Sequence, residues 1–173
     1  MVSLERAVPE RSQAPSIRRR LAAIPYEILL ITAILLIAAF PLAGLKGATL
    51  HGIPHLFAQA YFLCIAAAYF TWFWRHGGQT LAMKTWRFRV TCVNGRPLDF
   101  LRALLRFACA LLFFGPAAAG VLLLFFPNRV NPFYSMWAFL PMAATILWAR
   151  FDPDRQFLHD RMAGTRLGST GER

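Results

Sequence analysis

Glu27 is the one acidic residue inside a long apolar run of this chain, and an ionised carboxylate in hydrocarbon is costly enough to need a reason. Arg20 precedes it by seven residues. On a helix that spacing is two turns and a rise of about 10.5 Å, so the two side chains share nearly one face, and Ala23 between them leaves room for a partner. An ionisable group so placed can exchange a proton, bind a cation, or form one half of a buried ion pair. With the apolar run starting at Leu21, Glu27 lies only about 9 Å inside. A structural carboxylate, paired with an arginine or wetted from the near surface, therefore stands level with a functional one.

Arg102 and Arg106 are the natural partners for Glu27. Their i, i+4 spacing puts both on one face at the start of a later apolar run. A bidentate contact from Arg106 would neutralise Glu27 and pin the first helix against the third. The other reading is that the arginines extend to lipid phosphates; it is preferred for Arg102, and pairing for Arg106, one turn deeper. His51 and His55 have metal-like spacing, but Gly52 and Pro54 break any helix between them and no third ligand is near, so no metal site is expected. The chain carries no glycine-rich phosphate loop, nucleophile elbow or carboxylate pair, so neither enzymatic activity nor a cofactor is expected. Cys64 and Cys109 fall in apolar runs and Cys92 in a polar segment, without a CxxC pair, which predicts buried, inert thiols.

Four apolar runs must position these residues, at about 21–42, 53–74, 104–126 and 133–150, in a chain of 173 residues that is 57% hydrophobic. Of the 19 Lys and Arg, all but Lys46 and Arg129 lie in the N-terminal tail, the segment between the second and third runs, or the C-terminal tail. Short basic segments stay cytoplasmic, so both termini and the middle segment are expected inside. The fold class that follows is all-α: an integral bundle of four transmembrane helices in the cell (inner) membrane, N-in and C-in. Residues 1–17 and 168–173 read as disordered tails flanking one domain at 18–167. A net charge of +11 would suggest nucleic acid in a soluble chain, but these cations flank spans and instead predict anionic lipid headgroups as partners, at about 1 kcal/mol per cation. Arg18, Arg19 and Arg20 ahead of an apolar run resemble a targeting peptide. The run's length, Glu27 and three further runs favour its retention as the first span.

Residues 77–99 form the one sizeable polar segment. Trp86 to Cys92 alternate apolar and polar before Asn94-Gly95, which predicts a short cytoplasmic β-hairpin at the membrane surface. Trp86 and Phe88 would dip inward, Arg87 and Arg89 would face headgroups, and Pro97 would keep the returning strand brief. Asp99 is placed to cap the third helix. Tyr69, Trp72 and Trp74 read as an interfacial girdle, Trp148 as the inner anchor of the fourth span, Pro25 and Gly115-Pro116 as bends, and 117–120 as a site of close helix approach.

Three stretches together carry a resemblance. They are Arg20-Leu21-Ala22-Ala23-Ile24-Pro25-Tyr26-Glu27; Gly78-Gln79-Thr80-Leu81-Ala82-Met83-Lys84, continuing through Arg89-Val90 and Asn94-Gly95 to Leu104-Leu105-Arg106; and Phe157 to Thr165, FLHDRMAGT. In this order they resemble the RDD family of small bacterial membrane proteins, over about 18–167. The resemblance implies that Arg20 is the family's arginine and Asp160 its second aspartate. Glu27 stands at the first aspartate, one methylene longer, and Ala82 stands where glycine is common. It implies a membrane location; transport of undefined solutes or cations has been proposed for the family. Asp160 also has a reading of its own: a tail folding back would set its carboxylate against Arg102, Arg106 or Lys84, against the alternative of a solvated turn residue.

The expectation is a small transport-type protein. Protonation of Glu27 would couple to movement of a cation or small solute, Arg20 and Arg106 would set its charge, and Asp160 would lock the inner face. Four helices enclose little space, so a homo-oligomer or larger membrane complex is expected. The alternative is a non-transporting membrane scaffold or assembly factor, in which Glu27 is dry and fully paired.

Overall fold

Ser16 opens the first helix by taking two N–H groups that a helix start leaves free, that of Arg19 on its hydroxyl (3.4 Å) and that of Arg20 on its carbonyl (3.2 Å). From there α1 (Ile17–Gly44) runs through both Pro25 and Pro41 without ending. The computed structural model describes residues 14–44, 55–124 and 136–170. The remaining elements are α2 (His55–Arg75), α3 (Leu81–Thr85), β1 (Phe88–Cys92), α4 (Phe100–Leu124), α5 (Leu140–Phe151), α6 (Leu158–Met162) and β2 (Thr165–Ser169). The expectations for the tail at 1–13, the loops with Lys46, His51 and Arg129, the His55 side chain and Arg173 lie outside the described residues.

Among the described residues three helices are long and apolar enough to cross a membrane: Ile17–Leu42, Leu56–Arg75 and Phe100–Val121. Their outward faces carry large bare side chains, among them Leu36, Ile37 and Phe40 on α1 and Leu112 on α4. An apolar surface this continuous suits lipid as its solvent. The expected fourth run is represented by α5, whose 12 residues rise about 18 Å against a hydrocarbon thickness of about 30 Å. Helix α2 packs on α1 and α4, and α4 packs in turn on α5 and α6. Cys92 and Cys109 are buried, as expected of inert thiols, whereas Cys64 lies on the exposed side of α2. The aromatic girdle also divides: Trp72 is exposed, while Trp74 and Tyr69 turn inward.

At one end of the bundle the short elements form a layer. The expected hairpin is replaced there by a different pairing, because β1 is antiparallel to β2, with Val90 opposite Leu167. The Asn94-Gly95 turn does form, with Gly95 at φ 73° and Cys92 N–H donating to Arg96 O at 2.9 Å. The returning chain then meets Pro97, which has no N–H for a ladder, and Asp99, whose carboxylate accepts from Arg102 N–H (2.8 Å) and starts α4. The edge of β1 is left to the C-terminal segment, so Gly168 and Ser169, expected in a disordered tail, belong to a strand. The outer edges are covered as well: Gly78 O accepts from Val90 N–H (2.7 Å), and the Gln156 side-chain amide pairs with Leu167 N–H (2.9 Å) and O (3.2 Å). Phe88, Val90 and Cys92 face the bundle and pack with Trp74, Met83, Ala103 and Phe107, while Arg89 stays outside.

Gly78 is fixed by that edge. Its φ is +72°, and a Cβ there would lie 2.4 Å from Val90 O, a backbone atom that cannot swing away. Gly95 shares the left-handed backbone (φ +73°) but faces open space. Gly78→Ala is therefore expected to cost about 2 kcal/mol or more, and Gly95→Ala about 1 kcal/mol. Thermal unfolding of the two variants in detergent, beside the parent, measures the difference.

Candidate functional site

Near the layered end of the bundle the fold treats two carboxylates, the half-buried Glu27 and the fully buried Asp160, differently. Glu27, on α1, is half-buried and held by two neutral hydroxyls. Tyr69 of α2 donates to Oε1 at 2.9 Å, and Thr80 donates to Oε2 at 2.6 Å. Thr80 is fully buried and is also the N-cap of α3, its oxygen accepting from Met83 N–H at 3.2 Å. Among the described residues no Lys, Arg or His forms a salt bridge with Glu27.

Asp160 has the opposite surroundings. It is fully buried in α6, and Arg106 Nη1 donates to its Oδ1. The same Arg106 nitrogen donates to Thr165 Oγ1 (2.8 Å), and the guanidinium lies over the Trp74 ring, 4.8 Å from its centroid. His159 Nε2 sits 3.3 Å from Asp160 Oδ1. Arg20 completes the group by charge more than by contact: its Nε donates to Pro15 O (3.1 Å) and its guanidinium lies over Phe157 at 5.1 Å. Below, the turn into α6 is held by Asp152, whose carboxylate accepts from Gln156 N–H (2.8 Å) and Arg161 Nε (2.8 Å).

The arrangement differs from the expected one at Arg106. That residue is not on Glu27; the chain returning after α5 delivers Asp160 to it, and Tyr69 and Thr80 fill the space beside Glu27. Of the cations weighed for Asp160, Arg106 is the one in contact. Arg102 is exposed, 3.9 Å from Asp99. Arg87 and Arg89 are both exposed, Arg87 with a left-handed backbone (φ 53°). Sequence reasoning missed Tyr69, Thr80, His159 and Thr165. Thr80 carried a signal, since a threonine shortly after Gly77 and Gly78 and directly ahead of Leu81-Ala82-Met83 is a helix-cap pattern. Tyr69 was hidden by its place in an aromatic cluster.

Burial drives the titration of the inner layer. It presses the His159 imidazole down to about 4, with Arg106 and Arg20 adding to the effect against Asp160, so the ring is neutral at physiological pH. Burial pushes the Asp160 carboxyl up, but the surrounding positive charge, Arg106 foremost and Arg20 with it, together with the Arg106 hydrogen bond, outweighs this and holds it below the usual carboxylate range. In the unfolded chain the histidine binds its proton near pH 6.5, and in the fold only near 4. Between those values the unfolded state holds more protons, so stability falls as pH falls, by up to about 3 kcal/mol from this one group. Thermal midpoints are expected to drop steadily from pH 6.5 toward 4 in the parent. His159→Gln should flatten most of that slope.

Asp160→Asn strips Arg106 of its counter-charge and is expected to cost about 3 kcal/mol, the scale for breaking a buried pair from one side. Arg102→Ala should leave the unfolding midpoint where it was. Unfolding of both variants at neutral pH is the check.

Among the described residues no group of three or more His, Cys, Asp and Glu could hold a metal ion. No curated protein and no solved structure matches the chain. The family comparison does match: the RDD family model covers residues 14–164, a stretch that includes Arg20, Glu27, Arg106 and Asp160. The chain is a membrane protein with apolar helices and belongs to the RDD family.

Proposed function

We propose that this protein moves a small solute or cation across the cell (inner) membrane, with Glu27 as the group that takes up and releases a proton. The observation that carries the reading is the contrast between the two carboxylates. A purely structural buried acid is expected to carry a cation, as Asp160 on the short helix α6 does with Arg106. Glu27 instead lies in the apolar helix α1, and its donors among the described residues are two hydroxyls, Tyr69 and Thr80. Hydroxyls stabilise a carboxylate without fixing its charge, which suits a group that must change protonation during a cycle. Nothing in this role calls for an enzyme's machinery or a cofactor.

The topology that goes with this function is four crossings with both ends inside. Two contacts support it by parity. The inner end of α1 touches α3 through Glu27 and Thr80, so α1 and α2 together leave the membrane on the side they entered. Pairing of β1 with β2 requires the same of everything from α4 to α5. The fourth crossing would then join α5 to residues just before it. Anionic headgroups would meet the exposed basic residues around Arg87 and Arg89, nucleic acid has no role, and a homo-oligomer or larger complex would supply the enclosed path that so small a bundle lacks.

Vesicles containing the purified protein and a trapped pH-sensitive dye, challenged with an imposed monovalent-cation gradient, test the function. Proton movement should fall to background in Glu27→Gln. Equal movement above background in parent and variant would remove Glu27 from the mechanism, whereas movement no greater than background in the parent would leave the scaffold reading in place of transport. Tags at the two ends and near Gln79 should all report from the cell interior.

A further inference from the structure

Thr80 joins two things that a sequence keeps far apart, the carboxylate of Glu27 and the start of α3. Its hydroxyl hydrogen is committed to Glu27 Oε2 at 2.6 Å, and its oxygen accepts from Met83 N–H at 3.2 Å. Every atom of this chain of bonds is satisfied when Glu27 is ionised, because a carboxylate accepts from both Thr80 and Tyr69. When Glu27 takes a proton on Oε2, the new O–H needs an acceptor, and the atom in reach is Thr80 Oγ1. The threonine hydrogen must then turn away from Glu27, the acceptor it uses in the structure, and Thr80 is fully buried, so water does not take that acceptor's place. A buried hydroxyl is left unsatisfied unless the cap moves.

The cap is not an isolated detail. From Thr80 the chain passes through α3 into β1, and two residues before it Gly78 O accepts the Val90 N–H that fixes the edge of β1. Gln79 between them donates to Phe88 O (2.9 Å) and to Thr170 Oγ1 (3.2 Å), reaching the end of β2. Release of Thr80 therefore bears on both strands of the inner layer. We infer that Thr80 is a switch residue through which the protonation of Glu27 loosens the α3–β1–β2 layer at the inner end of the bundle. The inference rests on proton exchange at Glu27 and adds the element that responds to it. The groups that face Glu27 are few: from α2 the Tyr69 hydroxyl, from the α3 cap the neutral Thr80, and along α1 Arg20, two turns away and held by Pro15 and Phe157. The Tyr69 route is the competitor, since an acid on Oε1 would turn the phenol instead. The 2.6 Å contact and the full burial of Thr80 favour the threonine.

Amide hydrogen exchange of the full chain in lipid nanodiscs, at one fixed neutral pH, tests the inference without measuring flux. The side-chain amide introduced by Glu27→Gln mimics the neutral acid, with a donor on one atom and an acceptor on the other. Glu27→Gln is expected to speed exchange across 81–92 by about tenfold while α4 peptides stay unchanged. Thr80→Val should give the same acceleration, the double variant should give no more than either alone, and Thr80→Ser should restore parent protection. As a second arm, in a His159→Gln background that removes the separate pH dependence of that ring, the protein compared at about pH 8 and about pH 5, corrected for intrinsic exchange, should show the same loosening, and adding Thr80→Val should abolish the difference between the two pH values. Parent-like protection in Glu27→Gln, additive effects in the double variant, or a response removed by Tyr69→Phe and kept in Thr80→Val would each overturn it. Failure here with Glu27-dependent flux intact discards the switch alone; loss of the flux effect with the coupling intact discards the transport reading.

Discussion

A charge that leaves water must be answered inside the protein, and the layered end of this bundle is organised by that requirement. Arg106 opens toward the layer from the first turns of α4, over the ring of Trp74. Left alone there, a guanidinium would be costly, and it is matched by Asp160 on a helix more than fifty residues later in the chain. Delivering Asp160 to that place forces the segment after α5 to fold back. The fold-back in turn brings Thr165–Ser169 to the edge of β1 and seats Thr165 on the same arginine. The pair does not by itself stabilise the protein strongly, since desolvation offsets much of the attraction. Its effect is to make any other path of the tail worse.

Once Arg106 is committed to Asp160, no arginine among the described residues forms a salt bridge with Glu27. Its oxygens are taken by groups that carry no charge, one from α2 and one from the cap of α3. Asp160, and Asp152 with Arg161, are thus matched by cations, whereas Glu27 meets none among the described residues. That separation is what the proposed function rests on: Asp160 holds the layer together, and Glu27 is the acid the proposal assigns to proton exchange.

Much of this was legible in the residues. Length and apolarity of the runs gave the helices, and the motif order gave the family. Asp99 capped its helix as its position requires, and Asn94-Gly95 made its turn. What the sequence did not carry was long-range pairing. Alternation in 86–92 identifies a strand but says nothing of its partner, and the nearest candidate was displaced by a segment some seventy residues on, because Pro97 and the helix cap at Asp99 withdrew the returning chain. The same limit applies at Arg106, where two acids in different segments competed and periodicity could not rank them. Tyr69 and Trp74 looked like interfacial anchors because aromatic clusters at a span's end usually are, yet one serves Glu27 and the other Arg106. Hydroxyl partners of a buried acid have no spacing rule to reveal them.

The distinction between the two carboxylates is open to one direct observation, infrared difference spectroscopy of the protein in lipid as the pH is lowered from about 8 to about 4. A protonated carboxyl group in an apolar setting shows a C=O band separate from ionised acids. The account predicts that such a band rises in the parent, is missing in Glu27→Gln, and survives in Asp160→Asn. A band that vanishes with Asp160 and persists without Glu27 would contradict it.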